Sequence, residues 1–174
     1  MSDALRYPVG RFQFADTAGG EARRQAIATI RQFPAALRAA ASSLSETQLA
    51  APYREGGWTG RQVIHHVADS HINAYVRTRW LLTEDRPTLK AYDEKAWAEL
   101  PDAAVSPIEP SLILVDAIHQ RWAALLDALP DPAFARELVH PERGPMTLET
   151  LVQMYGWHGR HHIAHLQLLA ESPA

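Results

Sequence analysis

Apolar residues recurring every three to four positions in four long segments, few strand signals, and a proline-bearing connection in the middle predict an all-α fold. The expected architecture is a four-helix bundle with a long crossover between helices two and three. With 174 residues the chain has room for one compact domain spanning 1–174. A domain of this size buries roughly 70% of the surface its unfolded chain exposes and needs no covalent staple.

The first helix is expected from about Gly20 to Leu44, with Ile27, Ile30, Phe33, Leu37, Ala41 and Leu44 on one stripe. Pro34 falls inside this pattern, and because the periodicity resumes after it, a kink is expected rather than a stop. Ser45 to Gln48 reads as a capping box opening a short helical turn, and Ala51 to Gly57 as a loop. A second capping box, Thr59 to Gln62, starts a helix running to about Thr83. Val63, His66, Val67, Ser70, Ala74 and Arg77 share one face of it, and Ile64, Ala68, Ile72 and Tyr75 a neighbouring one. So wide an apolar girth predicts a largely buried helix.

From Glu84 to Pro110 the chain carries four prolines, with a short helix expected around Asp93 to Leu100. Connections this long are usually functional. The third helix spans Ser111 to Leu129, with Leu112, Val115, Ile118, Trp122, Leu125 and Leu129 on its expected core side. A brief turn follows at Asp131–Pro132, and His140 to Pro145 reads as a tight loop. Thr147 caps the fourth helix, which runs to about Glu171.

Composition narrows the function. There is no cysteine, which excludes disulfide scaffolds, thiolate metal sites and cysteine nucleophiles. A net charge of −3 carries no basic footprint for nucleic acid. No apolar run approaches the ~18 residues of a membrane span. Met1 to Phe14 lacks the apolar core of a signal peptide, so a cytoplasmic protein without a membrane or nucleic-acid partner is expected.

Seven of the nine histidines lie in two segments: His65, His66 and His71 on the second helix, and His158, His161, His162 and His165 on the fourth. Residues four apart share a helix face, so His158/His162 and His161/His165 can each close on one metal ion. A third ligand from a facing helix completes a tripod, and His66 lies on the inward stripe. Three neutral imidazoles leave a coordination position open, which marks a catalytic rather than a structural site. The donor type favours Zn, Ni, Fe or Cu over Mg or Ca. The plainer alternative is that such histidines are core residues satisfied by backbone carbonyls. The five tryptophans read most simply as packing residues, and Glu94, Glu99 and Glu109 as solvated groups.

The segment Pro52–Tyr53–Arg54–Glu55–Gly56–Gly57–Trp58–Thr59–Gly60–Arg61–Gln62–Val63–Ile64–His65–His66–Val67–Ala68–Asp69–Ser70–His71 resembles the YfiT-like branch of the DinB superfamily. So do Leu5–Arg6–Tyr7–Pro8–Val9–Gly10, the insert Tyr92–Asp93–Glu94–Lys95–Ala96–Trp97, and the ending Trp157–His158–Gly159–Arg160–His161–His162–Ile163–Ala164–His165. The likeness spans essentially the whole chain; Gly159–Arg160 departs from a stretch often richer in histidine.

This resemblance implies a four-helix bundle holding one divalent metal, Zn or Ni, per chain. Matched residue by residue, the implied ligands are His66, His161 and His165. His65, His71, His158 and His162 become pocket residues, and Asp69 a group that orients a ligand imidazole. The implied activity is that of a metal-dependent hydrolase acting on a small-molecule substrate. One alternative is a thiol S-transferase using a low-molecular-weight thiol such as bacillithiol; another is a non-enzymatic metal-binding stress-response protein. A homodimer is also implied.

Overall fold

The computed structural model describes residues 2–15 and 20–172. A short N-terminal helix, α1 (Ser2–Arg6), precedes the four long ones: α2 (Glu21–Ser42), α4 (Gly60–Thr83), α7 (Glu109–Asp127) and α8 (Leu148–Ala170). The short helix α3 (Glu46–Ala50) links the first two, while α5 (Glu94–Ala98) and α6 (Pro101–Val105) break up the long crossover. Both expected capping boxes form, with Ser45 and Thr59 each accepting from the amide three residues on and Gln48 and Gln62 reaching back. Thr147 caps α8 through the Thr150 amide at 3.1 Å.

Helices α2 and α4 each pack against both α7 and α8, so these two consecutive long helices lie across the diagonal of the bundle. That arrangement seats α4 beside α8 and brings the two histidine-bearing segments together.

The apolar interior is divided in two. One cluster holds Ile30, Ala74, Trp122 and Tyr155, and the other Phe33, Ala68, Val115 and Leu166. The changeover falls at the same level on all four helices. Six histidines occupy those gaps: His71, His119, His158, His161, His162 and His165. A polar layer thus crosses an otherwise apolar core.

Three expectations are corrected. The all-α expectation has no strand over residues 137–147, which form a β-hairpin, β1 (Glu137–His140) paired antiparallel with β2 (Gly144–Thr147), and the tight loop expected from His140 to Pro145 spans its turn. Leu138 and Met146 face each other across it and are both buried, the alternation of a strand with one face on the core. The buried stripe of α7 is Leu112, Val115, His119, Trp122 and Leu126, whereas Ile118, Leu125 and Leu129 are only partly covered. Of the tryptophans, Trp122 is fully buried, but Trp80 and Trp97 are exposed.

Candidate metal centre

The α4 and α8 histidines converge. Among the described residues, two triplets have donor atoms all within 4.8 Å of one another: His66/His158/His162 and His161/His162/His165. His162 belongs to both. The tripod implied by the family resemblance, His66 with His161 and His165, thus draws one member from the first triplet and two from the second. Around His66 the structure gathers both α8 pairs: the rings of His158 and His162 lie at 5.5 and 4.9 Å, and His161 and His165 are close enough for their charges to act on it. Trp58 packs on His66 at 4.5 Å and also lies near His162, at 6.4 Å.

Two other sequence candidates have different roles. His65 is tied down by Ser111 Oγ at 2.8 Å and the Ser106 carbonyl at 3.2 Å, a structural histidine holding α4 to the start of α7. Asp69 receives no histidine hydrogen bond among the described residues; burial, and then the nearby Asp102, raise its pKa to about 6. His119, which sequence reasoning passed over, is 1% exposed and part of the cluster.

Six hydrogen bonds string five of these rings into one chain. The Ile30 carbonyl meets His119 Nδ1 at 2.6 Å, and His119 Nε2 meets His71 Nδ1 at 2.7 Å. His71 Nε2 meets His158 Nδ1 at 3.1 Å, and His158 Nε2 meets His162 Nε2 at 3.2 Å. His162 Nδ1 meets His165 Nδ1, and His165 Nε2 ends on the Arg6 carbonyl, both at 3.3 Å.

A neutral imidazole has one N–H and one bare nitrogen, and a carbonyl only accepts. Working inward from Ile30, His119 Nδ1–H donates, His71 Nδ1–H donates to His119, and His158 Nδ1–H donates to His71. That leaves His158 Nε2 bare. Working inward from Arg6, His165 Nε2–H donates and His162 Nδ1–H donates to His165, which leaves His162 Nε2 bare. Five neutral rings therefore supply five protons for six links, and with this set of tautomers the deficit sits where two lone pairs face each other.

A cation at that point removes the conflict. A proton is disfavoured there, because burial first, and then the neighbouring histidines, hold His158 and His162 well below the ordinary imidazole pKa. Burial, and then His161 and His165, bring His66 down to about 4. A divalent metal fits better. With Zn–N near 2.0–2.1 Å, two ligand nitrogens of a tetrahedral site lie roughly 3.3–3.4 Å apart, close to the spacing of His158 Nε2 and His162 Nε2.

His161 adds one further sign. Its Nδ1 is buried with no hydrogen-bond partner among the described residues, and its ring is stacked on Trp157 at 4.6 Å. His165 is stacked on Tyr53 at 3.9 Å.

Comparison with known proteins agrees with this fold. The DinB superfamily profile matches residues 29–166. The Bacillus subtilis protein named "Putative metal-dependent hydrolase YfiT" is 42% identical over 167 residues, covering 95% of this chain and 94% of its own. A Geobacillus kaustophilus protein of the same description is 48% identical over 169 residues, with 96% and 94% covered. The solved structure of YfiT from Bacillus subtilis, described as a probable metal-dependent hydrolase with an unusual four-helix bundle topology, superposes with a TM-score of 0.91 over 95% of each chain. The chain belongs to the DinB superfamily, in its YfiT-like branch.

Proposed function

We propose that the protein is a metal-dependent enzyme, a hydrolase of a small-molecule substrate, whose divalent ion is held by His66, His158 and His162. The observation that carries this reading is the pair of facing bare nitrogens on His158 and His162 beside His66. Zn or Ni suits the all-imidazole donor set. When bound, the ion supplies Lewis-acid activation of a water at its open position.

The chain's own residues orient the donors. His71 and His119 fix the tautomer of His158 by passing donation back to the Ile30 carbonyl, and His165 does the same for His162 through Arg6. Trp58 packs against the rings of His66 and His162.

A second placement is favoured by the unpartnered Nδ1 of His161: His161 and His165, the pair implied by the family resemblance, would then join the ligand set. The thiol-transferase alternative uses the same centre with a low-molecular-weight thiol as nucleophile, and the absence of cysteine from the chain fits a nucleophile brought from outside, as does the water of the hydrolase.

The test is ester hydrolysis by metal-stripped and Zn- or Ni-reloaded protein, with and without added thiol. Activity restored by metal alone supports the hydrolase; activity restored only with thiol present supports the transferase. Equal activity of stripped and reloaded protein would refute both.

A further inference from the structure

We propose that the cavity beside the histidine cluster binds a small organic carboxylate, with Arg77 as the receptor for its anionic group. As an assignment of substrate class it rests on the enzymatic reading above, but the binding itself does not require a metal.

Arg77 lies on α4, on the same stripe as His66 and Ser70, and is 7% exposed. Its neighbours are the Lys90 carbonyl at 3.4 Å and the Tyr155 hydroxyl. Among the described residues no carboxylate pairs with it. A buried guanidinium without a counter-charge is costly unless a ligand brings one, and its planar fork matches a carboxylate through two parallel hydrogen bonds.

The space in front of Arg77 suits such a ligand. The cavity has a volume of about 850 Å³, within the range of small-molecule sites. Arg143 on the hairpin lines it too, and among the described residues the polar partner of that guanidinium is only the Met154 sulfur at 3.2 Å. Three acidic residues share the wall, but Asp93 is spent capping α5 through the Lys95 and Ala96 amides, and Glu94 and Glu142 are exposed at the rim. Tyr92 and Trp157 give the cavity aromatic sides for the body of the ligand. His158 completes the wall and is also the ring that packs on His66 and His162. A carboxylate seated on Arg77 would therefore direct the rest of its molecule toward the candidate metal centre.

Benzoate and its uncharged near-isostere benzamide separate charge recognition from aromatic packing. Both are titrated by NMR into metal-free and Zn-loaded protein, following the Trp157 indole N–H. Benzoate is expected to bind both forms, and more tightly than benzamide by about tenfold or more, the worth of a charged hydrogen-bonded pair. Arg77→Met should remove that preference at unchanged metal content, and Arg77→Lys should keep part of it. Equal binding of the two probes would overturn the proposal. So would undiminished benzoate binding in Arg77→Met, binding confined to the Zn-loaded form, or no saturable benzoate binding by the wild type. If Arg77→Met does not fold, the wild-type comparison and Arg77→Lys decide. A protein that binds benzoate through Arg77 but takes up no metal would leave this inference standing and remove the enzymatic reading instead.

Discussion

Pro34 and His119 are joined through one carbonyl oxygen. Proline has no N–H, so within α2 it leaves the carbonyl four residues earlier without its helical partner. That carbonyl belongs to Ile30, and His119 on α7 fills the vacancy at 2.6 Å. A helix defect on one side of the bundle thereby sets the tautomer of a histidine on the other, and through His71 that of His158.

This coupling is testable by a double-mutant cycle. His119→Phe leaves both the Ile30 carbonyl and His71 Nδ1 without partners, at about 1–3 kcal/mol for each buried group. Adding Pro34→Ala restores an N–H to the Ile30 carbonyl. The double variant should therefore be less destabilised than the two single effects predict, by chemical denaturation. Strict additivity would mean that the two residues act independently.

Acid should weaken the metal-free fold. His119 titrates at about 4 in the folded protein because burial outweighs the raising effect of the Ile30 bond, against 6.5 ordinarily. His71 is lowered as well, by burial and then by His119. Between pH 4 and 6.5 the unfolded chain binds more protons, so these groups' contribution is intact above about pH 6.5 and lost as pH falls toward 4. For His119 the loss reaches about 3 kcal/mol. Asp69 acts in the opposite sense: its pKa is raised from 3.8 to about 6, so its contribution is lost as pH rises through that window. It is a single half-buried group, and the histidines outweigh it. Urea denaturation in chelator should give lower stability at pH 5 than at pH 7, with part of the difference missing in His119→Phe. Equal stability at both pH values would contradict the buried neutral chain.

Gly159 allows close packing of α8 on α2. A Cβ there would come within 2.7 Å of the Phe33 ring, itself stacked on His71 at 4.9 Å. Overpacking of this kind costs about 1–3 kcal/mol, against about 1 kcal/mol gained by replacing glycine with alanine in a helix. Gly159→Ala should lower the melting temperature, while Arg160→Ala, on the exposed side, should leave it nearly unchanged. A stabilised Gly159→Ala would show that the ring yields freely.

The long helices and their caps were legible because periodicity and capping boxes are local signals. The hairpin was not, since its two four-residue strands are defined by cross-chain pairing and by core burial of Leu138 and Met146. At the candidate site, the sequence identified the two segments but could not choose between His158/His162 and His161/His165. The two pairs are offset by three residues, less than one helical turn, so the choice depends on how α8 is rotated against α4. The family resemblance favours His161 and His165, whose charges act on His66, while the rings of His158 and His162 pack on it, so both pairs of α8 stand beside His66. His119 did have a signal: a proline inside a helix announces a carbonyl in need of a donor.

The most direct measurement is metal stoichiometry in untagged protein loaded at neutral pH, by elemental analysis of wild type, His66→Ala, His162→Ala and His65→Ala. One tightly held divalent ion per chain is expected in wild type and in His65→Ala, and its loss in His66→Ala and His162→Ala. Substoichiometric metal in wild type, or full occupancy without His66, would contradict a centre shared between α4 and α8.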